Sequence, residues 1–174
     1  MAIERSGLLS IGGNEVTILG EDINVGQTAP SFKADTLSWE TIDVLKATQG
    51  KVRIIAAVPS LETSVCDRET RRFNEEAAGL SENIVIVTIS TDLPYTQSRW
   101  CGAAGIEQVM VVSDHKEAEF GLKYGCLVKE RRVLRRAVFI VDANDIVRYV
   151  AYMPALANEP DYDEVLTLAK ELIA

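Results

Sequence analysis

Long apolar runs, each bounded by polar or turn-forming residues, organise the middle of the chain. Residues 52–58 are apolar except for Arg53, and residues 84–89 and 109–112 form two further runs. Continuous apolar segments of this length are typical of strands buried on both faces of a sheet. The pattern therefore predicts a central sheet built from at least these three strands.

Helical spacing of apolar positions separates and follows these strands. Residues 67–80 are predicted to form a helix, because apolar side chains recur on one face at Cys66, Phe73, Ala77 and Leu80. Residues 95–104 and 116–124 are predicted to form shorter helices. A final helix is predicted after Pro160, where helical spacing relates Tyr162, Val165, Leu166, Ala169 and Leu172.

Two hairpins complete the predicted elements. Residues 16–19 lie between glycine-containing turns and are assigned to an N-terminal hairpin. Residues 137–141 and 146–152 flank the turn-rich segment 142–145, which indicates an antiparallel hairpin late in the chain. The chain thus changes from alternating strands and helices to a closing hairpin and a last helix.

Together these elements predict an α/β protein with a thioredoxin-like fold. Its central sheet is mixed, helices flank it, and residues 1–20 form an N-terminal β-hairpin extension. The chain is long enough for one full hydrophobic core and short for two domains, and it contains no internal repeat, low-complexity tract or linker. A single domain over residues 1–174 is the expected organisation.

Composition and charge exclude several classes of function. A net charge of −8 argues against binding nucleic acid, because too few cations are available to neutralise phosphates. The one basic run, residues 129–136, is interpreted as a loop that enters a strand, with Arg132 and Arg135 in solvent. No run approaches the ~18 apolar residues of a membrane span. Residues 1–20 lack the apolar stretch of a signal peptide, so a cytoplasmic protein is expected.

Cys66 is the strongest candidate for chemistry. It opens the helix predicted after the first central strand, where unpaired backbone N–H groups and the positive end of the helix dipole favour a thiolate. The thiolate is the nucleophilic form of cysteine. Three cysteines without a C-x-x-C pair indicate neither a zinc site nor a secreted disulfide framework. A reactive thiol is therefore predicted at position 66.

Reaction of a thiolate with a peroxide needs two further groups. A hydrogen-bond donor must lie near the attacked oxygen, and a cation must stabilise the developing charge. Thr63, on the loop just before the helix, is placed for the donor role, and it can also cap the helix. Arg136, at the start of the strand over residues 137–141, is the candidate cation, although composition alone does not separate it from Arg135.

These residues resemble a known family, the thiol peroxidases, which are atypical two-cysteine peroxiredoxins. P-S-L-E-T-S-V-C-D-R-E-T-R-R-F-N, residues 59–74, is similar to the family's active-site segment, and T-D-L-P-Y-T-Q-S-R-W-C-G-A-A-G, residues 91–105, to its resolving-cysteine helix. R-A-V-F-I-V-D, residues 136–142, resembles its arginine strand. E-P-D-Y, residues 159–162, resembles the entry to its last helix. The resemblance runs from about residue 12 to the end of the chain.

The resemblance implies roles for five residues. Cys66 would be the peroxidatic cysteine and Cys101 the resolving cysteine, while Thr63 and Arg136 complete the active site and Pro59 shields the sulfur. The implied cycle forms a Cys66 sulfenic acid, then an intramolecular disulfide with Cys101, which thioredoxin reduces. The resemblance further implies a hydroperoxide substrate, with a preference for organic hydroperoxides, a homodimer, and no metal or bound cofactor.

Three positions depart from the family pattern. Ser64 stands where the family usually has Gly, Val58 where it has Phe, and Cys126 has no counterpart. None of these changes removes a reacting atom, so altered rates or substrate range are expected rather than lost activity. Cys126 is predicted to be structural. His115, the only histidine, is predicted to be an exposed turn residue rather than a catalytic base.

The residues leave alternatives to the peroxidase. The second hypothesis is a peroxide-sensing relay that passes its disulfide to a partner protein, and the third and weaker one is a scaffold whose thiols are merely packed. A permanent staple between Cys66 and Cys101 is disfavoured because a reducing cytosol would remove it. Their placement on separate helices predicts that one or both segments unwind locally when the two sulfurs are bridged.

Overall fold

A mixed seven-stranded sheet forms the centre of the computed structural model, which describes residues 1–173. Its strand order is β12-β11-β7-β8-β9-β5-β6. The twelve strands are β1 (Glu4–Arg5), β2 (Ser10–Ile11), β3 (Asn14–Glu15), β4 (Ile18–Leu19), β5 (Lys33–Asp35), β6 (Thr41–Asp43), β7 (Val52–Ala57), β8 (Ile84–Ser90), β9 (Met110–Ser113), β10 (Leu127–Val128), β11 (Ala137–Val141) and β12 (Val147–Tyr152). The five helices are α1 (Val44–Ala47), α2 (Ser64–Ala77), α3 (Pro94–Ala104), α4 (Glu119–Lys123) and α5 (Tyr162–Glu171).

Strands β7, β8 and β9 are parallel, and helices α2 and α3 make the two crossovers between them. Strand β11 pairs antiparallel with both β7 and β12, as the predicted late hairpin requires. Strands β5 and β6 are antiparallel additions beside β9. The thioredoxin-like α/β fold with a mixed sheet is confirmed.

The sheet separates two apolar cores, and β7 contributes to both. All six of its residues are buried. Ile54 and Ala56 pack into the core under α2, α3 and α5, whereas Ile55 and Ala57 pack into the core on the opposite face. This alternation follows from the two-residue period of a strand, and burial on both faces explains why the segment is apolar at every position except Arg53. Cys66 and Cys101 both belong to the first core.

The predicted N-terminal hairpin is present, but its strands differ from those predicted. A hairpin does form, with β2 and β3 joined through a turn at Gly12 and Gly13, both of which have positive φ. Residues 16–19, however, do not form one continuous strand of that hairpin. Only β4 is extended there, and it pairs antiparallel with β1 on one side and β10 on the other.

Helix boundaries differ from prediction at two places. Helix α2 begins three residues earlier than predicted, because Thr63 caps its N-terminus. It also ends three residues earlier, at Ala77. Helix α4 begins three residues later than predicted, because Ala118 adopts a left-handed conformation with φ of 50° immediately before it. The last helix forms as predicted, with Asp161 as its cap.

Candidate active site

The loop before α2 fixes the position of its first turn. Pro59 is buried two residues after the end of β7, where a residue without an N–H group cannot extend the strand ladder. The Asp92 carboxylate accepts hydrogen bonds from the Ser60 hydroxyl (2.7 Å), the Leu61 N–H (2.9 Å) and the Ser90 hydroxyl (2.8 Å). This aspartate, which the sequence prediction missed, ties the loop to the end of β8.

Thr63 is the N-cap of α2. Its hydroxyl accepts a hydrogen bond from the Cys66 N–H at 3.4 Å and donates to the Ser60 carbonyl at 3.1 Å. The predicted capping role is therefore confirmed, and it places Cys66 as the third residue of the helix, beside the unpaired N–H groups of the first turn. Donation by Thr63 to a bound peroxide stays a prediction.

Arg136 reaches the sulfur of Cys66 from the neighbouring strand. Its Nη2 donates to Cys66 Sγ at 3.1 Å, and its Nε donates to the Leu156 carbonyl at 2.9 Å. The thiol is fully buried, and the arginine side chain is 1% exposed. A guanidinium in this position stabilises negative charge on the sulfur and on an oxygen that it attacks. The structure thus distinguishes Arg136 from Arg135 by direct contact.

Glu69 completes this group, and the sequence prediction missed it. Its carboxylate forms a buried ion pair with Nη1 of Arg136, so the guanidinium is held on three sides by Glu69, Leu156 and Cys66. Burial raises the pKa of Glu69 to about 7, and Arg136 opposes that rise. The only signal in the sequence was a carboxylate three residues after Cys66, on the face of α2 that carries the core residues.

Cys101 lies on α3, away from this group of polar contacts. It is the eighth residue of the helix, its side chain is 6% exposed, and its thiol is free. Burial raises the pKa of Cys101 to about 11, so at neutral pH it is held as a thiol, the weakly nucleophilic form. Attack by this sulfur therefore requires its environment to change, in line with the predicted local unwinding.

This burial predicts a pH dependence of stability in the reduced protein. The folded state keeps Cys101 protonated up to about pH 11, whereas the unfolded chain ionises near its ordinary value of 9.0. The unfolded state then binds fewer protons, so the free energy of unfolding should fall as pH rises from 9.0 to about 11.

Urea unfolding of the parent and of Cys101→Ser at several pH values, both with reductant, measures this effect. Below pH 9 the difference in free energy of unfolding between the two proteins should be constant. Above pH 9 the parent should lose stability relative to Cys101→Ser. Parallel curves up to pH 11 would contradict the account of Cys101 burial.

Three further predictions, for one cysteine and two arginines, are tested by the structure. Cys126 is fully buried, and its thiol faces the Tyr124 carbonyl at 3.5 Å, which confirms a place in the core. The prediction that Arg135 lies in solvent was wrong: the residue is 5% exposed, because its guanidinium stacks 4.3 Å from the centre of the Tyr152 ring. Arg132 is exposed as predicted.

His115 also departs from prediction. Its side chain is 15% exposed rather than open to solvent, since Nε2 lies 2.9 Å from the Asp35 carboxylate and the ring packs edge-on against Trp39. These contacts belong to β5 and the loop after it. Arg136 immediately precedes β11, which is separated from β5 by strands β7, β8 and β9 in the sheet. Among residues 1–173, no cluster of three or more His, Cys, Asp or Glu side chains is arranged to hold a metal ion.

Comparison with known proteins agrees with this geometry. The Redoxin family model matches residues 24–166. The chain belongs to the Redoxin family. Within that family it is 47% identical to the thiol peroxidase of Halalkalibacterium halodurans over 93% of this chain and 96% of that protein, and 44% identical to the thiol peroxidase of Bacillus subtilis over 95% and 98%. The resemblance to the thiol peroxidases is therefore confirmed.

A solved redoxin-type structure shows the same architecture. The crystal structure of a peroxiredoxin-like protein from Aquifex aeolicus superimposes with a TM-score of 0.85 at 37% identity, covering 97% of each chain. A thiol peroxidase from Chromobacterium violaceum, at 20% identity and a TM-score of 0.80, shares the fold. The peroxiredoxin form of the thioredoxin-like fold is thus established for this chain.

Proposed function

We propose that the protein is a thiol-dependent peroxidase in which Cys66 reduces hydrogen peroxide and organic hydroperoxides. The observation that carries this proposal is the hydrogen bond from buried Arg136 to Cys66 Sγ in the first turn of α2. The thiolate attacks one oxygen of ROOH, the O–O bond breaks, and the other oxygen leaves as RO⁻, which takes up a proton. Cysteine is oxidised to the sulfenic acid and the peroxide is reduced to ROH. Arg136 donates to the reacting oxygens, Thr63 does so once its hydroxyl proton turns away from the Ser60 carbonyl, and Pro59 keeps solvent from the sulfur.

Cys101 is proposed to resolve the sulfenic acid. Its sulfur attacks Cys66 Sγ, an S–S bond forms, the S–O bond breaks, and hydroxide leaves with the Cys101 proton as water. Thioredoxin then reduces the disulfide by thiol–disulfide exchange. Both cysteines are free thiols in the structure, and each lies at a regular position of its own helix, which supports a transient rather than a permanent bond.

Turnover with the thioredoxin system tests this function. The parent should consume NADPH continuously when hydroperoxide, thioredoxin and thioredoxin reductase are present. Cys101→Ser should react with the first equivalent of peroxide and then turn over at least ~10-fold more slowly, because the bond that thioredoxin reduces cannot form. A parent that stalls after one equivalent would instead indicate a relay that passes its disulfide to another protein, an alternative that the thiol peroxidase relatives do not favour.

The cytoplasm is the proposed location. One feature supports it: the three cysteines are free, which suits a reducing compartment. In the part of the chain that the structure describes, no helix has both the length and the apolar character needed to cross a bilayer. The proposed partners are small peroxides and a reductant protein, and the net charge of −8 argues against nucleic acid.

A homodimer is proposed through an exposed apolar patch made of Trp39, Leu93 and Tyr95. Tyr95 is 72% exposed, and its ring packs 4.8 Å from that of Trp39, while Leu93 is the residue before α3. Exposed aromatic side chains that adjoin one another mark interaction surfaces. Because α3 carries Cys101, a dimer formed here would bring the partner close to the segment that resolves the sulfenic acid.

Substitution of Tyr95 tests the dimer. Tyr95→Glu should weaken association at least ~30-fold, since an aromatic contact at the centre of an interface is replaced by a charge. Sedimentation velocity over a range of concentrations measures this change. Val25→Glu, at an apolar residue that is 62% exposed outside the patch, is the matched control and should leave the dimer intact. Equal behaviour of Tyr95→Glu and the parent would contradict the proposed surface.

A further inference from the structure

The two helices that carry the cysteines are tied together beside the sulfurs. Trp100, the neighbour of Cys101, donates its indole N–H to Oδ1 of Asp67, the neighbour of Cys66, at 3.0 Å. Trp100 is 7% exposed and the Asp67 carboxylate is 32% exposed, so this is a partly buried hydrogen bond to a charged acceptor. Such charge-assisted bonds are about twice as strong as neutral ones. One contact thus joins the residues next to both reacting cysteines.

Arg71 extends this contact into a closed network. Its Nε donates to Oδ2 of Asp67 at 2.9 Å, its guanidinium carbon lies 5.7 Å from the centre of the Trp100 ring, and its Nη1 is 3.5 Å from the Ala104 carbonyl. Asp67 is therefore oriented by a residue of its own helix, and Trp100 is covered on one face by the same cation. We call Asp67, Arg71, Trp100 and the Ala104 carbonyl the α2–α3 network.

Further along, the chain after α3 is also attached to α2. The Asn74 side-chain oxygen accepts hydrogen bonds from the Glu107 N–H at 3.2 Å and the Gln108 N–H at 2.8 Å. These bonds hold the far end of the segment that contains Cys101. The α2–α3 network, by contrast, acts next to Cys101 itself, so its release frees that cysteine without detaching the end of the segment.

From these contacts we infer that Asp67 and Trp100 are positioning residues that control when Cys101 is released to attack the Cys66 sulfenic acid. The inference rests on the proposed peroxidase function and adds to it the contact that governs the second step. While the network is intact, Cys66 stays in its helix beside Arg136 and Cys101 stays buried. Breaking the Asp67–Trp100 bond exposes Cys101 and allows the disulfide to form.

The same contact sets how much peroxide the protein tolerates. The sulfenic acid has two fates: Cys101 displaces its oxygen to give the disulfide and water, or a second ROOH oxidises it to the sulfinic acid and is reduced to ROH. Because the network delays the attack of Cys101, the sulfenic acid persists for longer and a second peroxide has more time to oxidise it. The α2–α3 network therefore makes the protein more sensitive to overoxidation than a variant that lacks it.

Trp100→Phe is the variant that tests this inference, because it removes the indole donor and keeps an aromatic ring in the core. Rapid mixing with hydroperoxide, acid quenching and mass analysis of alkylated protein resolve the sulfenic acid, the disulfide and the sulfinic acid. We expect disulfide formation about tenfold faster and about tenfold more peroxide needed for half-maximal sulfinic acid, the effect of losing a hydrogen bond to a charged group. Attack of peroxide on Cys66 should change less than about twofold.

Two other variants complete the experiment. Arg71→Gln breaks the network at a half-exposed side chain that hydrogen-bonds to Asp67 and the Ala104 carbonyl rather than to either sulfur, and it should change the same two quantities in the same direction. Arg72→Gln is the matched control, since Arg72 pairs with Glu76 on its own helix and with Asp163, not with α3. It should behave as the parent does. The melting temperature of each variant separates these effects from general loss of stability.

Each outcome bears on one claim. If the parent forms the Cys66–Cys101 disulfide and Trp100→Phe and Arg71→Gln form it at the parent rate or more slowly, the positioning role is wrong and the peroxidase function stands. If the parent consumes peroxide without forming this disulfide, the proposed function itself is wrong. Faster disulfide formation together with unchanged overoxidation would also overturn the inference, because the two fates compete for one sulfenic acid.

Discussion

Cys66→Ser should lower the rate of peroxide consumption by about 10⁴-fold or more, to the level of protein without a reactive thiol. A serine hydroxyl at neutral pH is neither ionised nor as nucleophilic as a thiolate, so the hydrogen bond from Arg136 no longer has an anion to stabilise. The fold should persist, because the exchange of sulfur for oxygen changes little volume in the first turn of a capped helix. Peroxide loss followed with a colorimetric assay under single-turnover conditions measures the effect.

The matched control is Cys126→Ala. Cys126 is equally buried, but it lies in the other core, next to Tyr124, and contacts none of the groups around Cys66. Its removal should leave the rate of peroxide consumption unchanged. Residual activity of Cys66→Ser near the parent rate, or loss of activity in Cys126→Ala at unchanged stability, would contradict the assignment of Cys66 as the nucleophile.

Arg136→Met should have two large effects at once. The rate of peroxide attack should fall about 10²- to 10³-fold, because a fixed cationic donor at the reacting atoms is lost. The free energy of unfolding should fall by about 3 kcal/mol or more, because the buried Glu69 carboxylate loses its partner. Stopped-flow kinetics and urea unfolding measure the two effects separately.

A double variant separates chemistry from stability. Arg136→Met combined with Glu69→Leu replaces the buried ion pair by apolar side chains, an exchange that is often neutral or stabilising in other proteins. Most of the lost stability should return, while the rate of peroxide attack should stay low. If the double variant recovered the parent rate, Arg136 would be a structural partner of Glu69 and not a group that acts on the peroxide.

Much of this fold could be read from the sequence because its strongest signals are local. The runs that form β7 and β8 are apolar except at Arg53, Thr88 and Ser90. The late hairpin is marked by the turn at residues 142–145, where the Asp142 carboxylate accepts hydrogen bonds from the N–H groups of Asn144 and Ile146. The short strands β1 to β4 have two residues each, too few to show a period, and one of the partners of β4 is the distant strand β10.

Contacts between functional residues that are close in the sequence could be predicted. Contacts between residues of distant segments were harder to predict. The capping hydroxyl of Thr63 and the helix-start position of Cys66 follow from adjacent residues. Glu69 and Arg136 are 67 positions apart, so a carboxylate on the buried face of α2 had no visible partner. The burial of Arg135 was missed for the same reason, since the ring that covers its guanidinium, Tyr152, comes from the neighbouring strand.

The contact between Asp67 and Trp100 was also beyond sequence reasoning, although each residue is next to a cysteine that the sequence singled out. Both look ordinary in isolation, an acidic residue in a first helical turn and an aromatic residue on a helix. Only the packing of α2 against α3 brings the indole N–H to the carboxylate. The resemblance to thiol peroxidases therefore predicted the two reacting cysteines, whereas the contact that we infer to time their reaction could be found only in the structure.

The most direct test of the central claim is intact mass and peptide mapping of the reduced protein after one equivalent of hydroperoxide. The account predicts loss of about two hydrogens per chain and one new disulfide that joins the Cys66 and Cys101 peptides, with Cys126 still alkylated as a free thiol. A stable oxygen adduct on Cys66 in the parent, a bond to Cys126, or an unmodified protein would contradict it.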